Sequence, residues 1–170
     1  GECGGDCGSG NYRDPTMNAC QPCPAGTYSN EAATSTCKSC PIGKYGDTTK
    51  ATSISACKNC SANTYSSATG LDSVSKCNKC PAGRSSTQDG LGSADDCKPC
   101  DEGTYASGDG TLKDCPIGTY QNEKGQTSCK PCPKGRFSDS MKLTDVHQCK
   151  ICAEGKFSSH QSAVECEWCP

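Results

Sequence analysis

Large apolar side chains are scarce. Leu, Ile, Val and Phe together number 13 in 170 residues. One hydrophobic core cannot be assembled from so few, and without cross-links such a composition stays disordered. No apolar run approaches the roughly 18 residues that cross a bilayer, so no membrane span is expected in this segment. Basic charge is not in excess: 17 Lys and Arg against 19 Asp and Glu give a net charge of −2. Both signs are mixed along the chain, which argues against nucleic acid as a partner. Histidine occurs only as His147 and His160, neither at ligand-like spacing from a cysteine pair. Dispersed carboxylates such as Asp95 and Asp96 form no acid–base constellation, so neither an enzyme nor a cofactor is expected. That Asp pair reads as a solvated loop rather than a calcium site. Gly1-Glu2-Cys3 lacks the charged and apolar regions of a signal peptide, and a mature or excised segment is the expectation.

What the chain has is cysteine, 19 of them, above the level that marks a disulfide scaffold. They recur in one register. Counting five residues forward from Cys7, Cys23, Cys40, Cys60, Cys100, Cys115, Cys132 and Cys152 reaches Tyr12, Tyr28, Tyr45, Tyr65, Tyr105, Tyr120, Phe137 and Phe157. Cys80 alone fails, reaching Ser85. Counting three forward reaches glycine each time except at Asn63, the other residue that tolerates positive φ. Residues 1–170 therefore read as tandem repeats opening at Cys7, Cys23, Cys40, Cys60, Cys80, Cys100, Cys115, Cys132 and Cys152, with a partial repeat from Cys169. Such arrays are architecture before they are function.

Within a repeat, proline often follows the opening cysteine, and the Gly two residues later supplies the left-handed position of a type II-like turn. The turn presents the aromatic ring beside the disulfide. In the longer repeats an apolar pair precedes the closing cysteine at i, i+3: Ala51 and Ile54, Leu71 and Val74, Leu91 and Ala94, Leu143 and Val146. That spacing predicts one helical or 3₁₀-like turn. The expected mini-core is one disulfide, one aromatic ring and both members of that pair, too small to stand without its neighbours. The rings read as packing rather than as a ligand-stacking platform, because they share one register and have no basic companions.

A repeat should use the same bond each time. Pairing inside a C-x-x-C would close a short ring of awkward geometry and leave the long loops untied. Pairing each opener with the next closer gives Cys7–Cys20, Cys23–Cys37, Cys40–Cys57, Cys60–Cys77, Cys80–Cys97, Cys115–Cys129, Cys132–Cys149 and Cys152–Cys166. Each closes a loop of about 15 residues, worth about 3 kcal/mol in the chain-entropy treatment. Cys3, Cys100 and Cys169 remain, as inter-copy or irregular positions. Cys3 reads as a closer without its opener, and Cys169 as an opener without its closer. Cys100 lacks a closer because Leu112 stands where one belongs. Cys100–Cys115 is an alternative that would strand Cys129. Zinc is the competing use of paired C-x-x-C motifs.

The runs Cys23-Pro-Ala-Gly-Thr-Tyr28-Ser, Cys115-Pro-Ile-Gly-Thr-Tyr120 and Thr127-Ser-Cys129-Lys-Pro-Cys132-Pro-Lys-Gly135 resemble the ephrin-receptor-like cysteine-rich repeat. That module is itself similar to the first half of tumour-necrosis-factor-receptor cysteine-rich domains and to protist cysteine-rich surface proteins. The likeness runs from Cys7 to Pro170. It implies small disulfide-rich repeats in an elongated rod of stacked modules, with short β-hairpins and turns and little regular secondary structure. It also implies opener-to-next-closer bonding. No second module type alternates with the first, in contrast to the receptor family.

The functional expectation is a non-enzymatic extracellular or cell-surface structural protein, a stalk, coat or filament subunit joined to itself end to end as a filament or a longer chain. The alternative is a receptor or adhesion ectodomain that binds a protein ligand. Trp168 is the one aromatic candidate off the repeat register and is expected to be buried at the next repeat junction. Asn59-Cys60-Ser61 is a formal N-glycan sequon whose middle residue is a disulfide candidate. Asn18-Ala19-Cys20 and Asn78-Lys79-Cys80 match only a rare cysteine variant. The Ser- and Thr-rich loops are equally candidates for O-linked glycans or plain solvated chain.

Overall fold

The computed structural model describes residues 5–170. Two compact bodies are present. One comprises the chain up to Lys79 together with Ser86–Asp96, and the other Cys80–Ser85 with Cys97–Pro170. Each is built from small disulfide-closed repeats with little regular secondary structure.

The local unit follows from turn chemistry. In the repeat opened by Cys23, the Thr27 amide donates to the Pro24 carbonyl at 3.1 Å, with Gly26 at φ 84° in the third place of the turn. Only a residue without Cβ, or Asn, adopts that φ cheaply. Proline thus supplies the carbonyl that closes the turn rather than its second corner. Past the turn, two residues form a strand, Thr27–Tyr28, which pairs antiparallel with Lys38–Ser39 just after the closing cysteine. The same two-residue hairpin recurs as Lys44–Tyr45 with Lys58–Asn59, Thr64–Tyr65 with Asn78–Lys79, and Arg136–Phe137 with Lys150–Ile151. The Cys80, Cys115 and Cys152 repeats carry it too.

Two repeats are different. Asn11–Asp14 pairs with Ala19–Pro22 over four positions, and Thr104–Ala106 pairs with Leu112–Asp114 over three. These are plain hairpins without a long excursion between their strands.

In the four repeats with a 17-residue cysteine separation, a 3₁₀ turn precedes the closer. The turns are Ile54–Ala56, Val74–Lys76, Ala94–Asp96 and Val146–Gln148. Ser53 and Ser73 cap two of them through their hydroxyls, and Asp145 forms a capping box with Gln148.

The expected mini-core needs correction. Leu71, Leu91 and Leu143 are buried, but Ile54 and Val74, the second members of their pairs, are half exposed. The pair does not lie on one helical face. Leu71, Leu91 and Leu143 sit in extended backbone, bridged to Tyr45, Tyr65 and Tyr120 of the preceding repeat. Only the second member enters the 3₁₀ turn, where Ile54 and Val74 are left half exposed. The Cys132–Cys149 disulfide, Leu143 and the partly buried Tyr120 form one such cluster. Its ring comes from the repeat before, so the core lies between repeats rather than inside one.

Candidate functional site: the repeat junction

The recurring chemistry of this chain is the junction between consecutive repeats. At each of eight junctions the amide of the positive-φ turn residue donates to the carbonyl six residues past the next opener. The pairs are Gly10 to Ser29, Gly26 to Gly46, Gly43 to Ser66, Asn63 to Ser86, Gly83 to Ala106, Gly103 to Gln121, Gly118 to Ser138 and Gly135 to Ser158, at 2.7–3.2 Å. A second bond returns from the acceptor residue to the following loop, as from the Ser29, Gly46 and Ser66 amides to the Ala51, Leu71 and Leu91 carbonyls. A third ties the loop back: the Gly70, Gly90 and Gly125 amides donate to the Cys40, Cys60 and Cys100 carbonyls at 2.7–2.8 Å. Buried main-chain groups must be paired, and here the neighbouring repeat pairs them.

The residue that carries this ladder was not singled out by the sequence. It lies just after the ring: Ser29, Ser66, Ser138 and Ser158 are buried, and Gln121 is fully buried. The serine hydroxyls donate to the carbonyl two residues on, as Ser66 Oγ does to Ala68 at 3.0 Å. Gln121 reproduces this with a longer arm, its Nε2 donating to the Ser128 carbonyl and its Oε1 accepting from the Glu123 amide. The available signal is small or hydrogen-bonding residues at a fixed offset from the opener.

Sixteen cysteines form eight disulfides: Cys7–Cys20, Cys23–Cys37, Cys40–Cys57, Cys60–Cys77, Cys80–Cys97, Cys115–Cys129, Cys132–Cys149 and Cys152–Cys166. Among the described residues, Cys100 is free and buried, and Cys169 is free and exposed. Cys3 lies outside the described residues. The Cys100 thiol points at the Ser85 hydroxyl at 3.9 Å. Burial pushes this thiol's pKa up, against a smaller opposing effect of the Ser85 hydrogen bond. Ser85 is the position where the ring of the repeat is missing. Leu112, in the closer's place, pairs with Ala106 and is exposed.

Trp168 is 74% exposed, with Lys156 Nζ 4.4 Å from its ring centroid. The side chain of Asn59 is engaged. Its Nδ2 donates to Asp89 Oδ2 at 3.0 Å, and its Oδ1 accepts from Lys44 at 2.5 Å. Ion pairs such as Lys58–Asp47 and Lys150–Asp139 cross the hairpins in the open, where solvent leaves them little weight. Among the described residues, no group of three or more His, Cys, Asp or Glu side chains is arranged to hold a metal ion. No helix there is long and apolar enough to cross a membrane.

Disulfide-closed turns stacked through main-chain hydrogen bonds define a protein of cysteine-rich, extracellular-type repeats. The chain belongs to the family described as tyrosine-protein kinase ephrin type A/B receptor-like, whose model matches residues 10–57 and 106–149, more than half of the sequence. It is similar to "Signal peptide, CUB and EGF-like domain-containing protein 2" of Mus musculus, 47% identical over 32 residues. That match covers 19% of this chain and 3% of the relative. Thyroglobulin of Mus musculus and that of Rattus norvegicus each match at 46% identity over 49 residues, 25% of this chain and 2% of the relative. The chain thus spans a small fraction of these relatives' length.

Proposed function

We propose that this chain is a non-enzymatic structural segment of an extracellular or cell-surface protein: a stalk, coat or filament subunit that joins like repeats end to end. In this reading residues 1–170 are one tandem array, its repeats opening at Cys7, Cys23, Cys40, Cys60, Cys80, Cys100, Cys115, Cys132 and Cys152. The observation that carries the proposal is the uniform junction. In most repeats the turn residue, the opener and the residue after the ring all bond the next one, as Gly26, Cys40 and Gly46 do. Little distinctive side-chain chemistry is left over for a substrate. Eight disulfides in 170 residues call for an oxidising compartment. Glycans on the Ser- and Thr-rich loops would suit a hydrated coat.

The second reading, a receptor or adhesion ectodomain for a protein ligand, draws on the exposed Ile151 and Trp168. Aromatic and aliphatic anchors in the open are what a protein partner would use. Electron microscopy of the protein in its native state separates the two. Assemblies made of continuous repeat arrays support the structural role. Dispersed particles that carry a stoichiometric protein ligand would replace it with the receptor reading.

A further inference from the structure

At six turns the glycine is required by more than its φ. A Cβ built on Gly10, Gly26, Gly43, Gly83, Gly103 or Gly118 would lie 2.1–2.7 Å from a carbonyl oxygen of the repeat two places further on. The oxygens are those of Lys50, Gly70, Gly90, Gly125, Lys142 and Ser162, each ten residues past its own opener. Each of these partners sits at positive φ. The loop of a long repeat thus seats its tip in a notch that only glycine leaves open. Asn63 is the one turn without glycine. Two places after it comes the Cys100 repeat, a plain hairpin in which Ala106 pairs with Leu112 and no such loop forms.

A second position reports on the same neighbour. Two residues past the closer, Ser39, Asn59 and Pro99 lie against Gly70, Gly90 and Gly125 of the repeat two places on. They stand 3.4, 3.1 and 3.6 Å from a Cβ built there. Where the loop is seated, this side chain is small, polar or proline.

The Cys132 and Cys152 repeats carry the glycine without the loop. Gly135 and Gly155 keep φ of 76° and 78°, yet a Cβ on either would meet nothing within 4 Å. Their residues two past the closer are Ile151 and Trp168, 69% and 74% exposed. A groove of about 340 Å³ opens beside Ile151, lined also by Phe137, Lys156 and Cys166. The amides of Gly155 and Ser158, whose counterparts donate across other junctions, have no main-chain acceptor among the described residues.

We propose that this face is a docking surface for two further cysteine-rich repeats of the long-loop type, each with a positive-φ residue ten past its opener. The proposal rests on the structural reading above and specifies which repeats the array accepts. Gly135 and Gly155 take the two loop tips, and Ile151 and Trp168 are covered by them. The short Cys7 repeat is a hairpin of the Cys100 kind, so a second copy offering that repeat leaves Trp168 in water. The Cys169 amide already donates to the Gly155 carbonyl at 2.9 Å, as the Cys152 amide does to Gly135. Its thiol pairs with the closer of the first docked repeat. Two thiols and one glutathione disulfide give the new disulfide and two reduced glutathiones, each thiol proton passing to a released glutathione thiolate.

The test extends the full chain after Pro170 and refolds it with glutathione disulfide. One extension copies residues 42–79, two long-loop repeats in register with Cys169. The other copies residues 42–59 followed by residues 7–22, so that the second added repeat is the short hairpin. Trp168 is the sole tryptophan and reports directly. The expected result is a Cys169 disulfide in both products. Trp168 emission should shift to the blue, with severalfold weaker iodide quenching, in the first product only. Equal shielding by the two extensions, no shielding in the first, or failure of Cys169 to pair while the eight original disulfides form would each overturn the proposal. None of these outcomes depends on whether the native array is structural or binds a ligand, which the microscopy decides separately.

Discussion

Gly26 lies against Gly70 so closely that a Cβ built on Gly26 would stand 2.3 Å from the Gly70 carbonyl oxygen. The two belong to repeats separated by a whole intervening one, so stability in this array has a reach of two repeats. Gly26→Ala meets both the left-handed φ, about 1–2 kcal/mol, and an overpacked backbone contact, about 1–3 kcal/mol more. Gly155→Ala meets only the first. Denaturant titration of the two variants should show Gly26→Ala as the costlier by at least about 1 kcal/mol. Equal losses would mean that the notch yields freely.

Leu112→Cys should complete the missing bond. Leu112 occupies the closer's register, with Lys113 paired to Tyr105 as Lys38 pairs to Tyr28. The new disulfide, from Cys100 to the introduced thiol, closes a loop of similar size to the others and should add about 2–3 kcal/mol. In the parent chain, native-state alkylation should label Cys169 and spare Cys100. The variant should lose the Cys100 thiol altogether on denaturation under non-reducing conditions. A persistent Cys100 thiol in the variant would show that the Cys100 repeat is out of register with the rest.

Asn59 should carry no N-glycan when the protein passes through a secretory pathway. Its amide is held between Lys44 and Asp89, and Cys60 next to it is buried in a disulfide. Glycopeptide mass spectrometry of the secreted protein checks this. High occupancy at Asn59 would mean that modification precedes folding of the Cys40 and Cys60 repeats.

The Cys100 hairpin should respond to acid through Asp109. Its carboxylate accepts first from the Thr111 amide, then from Ser107 and Lys113, which lowers its pKa to about 2. A depressed folded pKa stabilises above the unfolded value near 3.8 and loses that contribution as pH falls toward about 2. The group is fully exposed, so the effect on global stability is small. NMR should place the Asp109 midpoint near 2, with loosening of the Ser107–Thr111 turn below it. A midpoint near 3.8 would show those hydrogen bonds to be absent in solution.

The openers, turn glycines and rings were legible because each answers to one local demand: a disulfide, a positive φ, a packed face. Ser29 and its counterparts were not, because their contribution is a main-chain carbonyl and any small or hydrogen-bonding side chain serves, even Gln121. The exposure of Ile54 and Val74 is hidden in the sequence for a related reason. An i, i+3 pair suggests one helical face, but Leu71 belongs to a bridge with Tyr45 and only Val74 to the 3₁₀ turn. A three-residue helix is too short for its periodicity to report orientation.

The central claim is that every long loop is tied from opener to next closer, which sets the register for every junction. Non-reducing peptide mapping by mass spectrometry tests it most directly. The predicted result is eight linked peptides, Cys7–Cys20 through Cys152–Cys166, with Cys100 recovered as a thiol. Bonds within the C-x-x-C pairs, such as Cys20–Cys23 or Cys57–Cys60, or stoichiometric zinc with reduced cysteines, would contradict it.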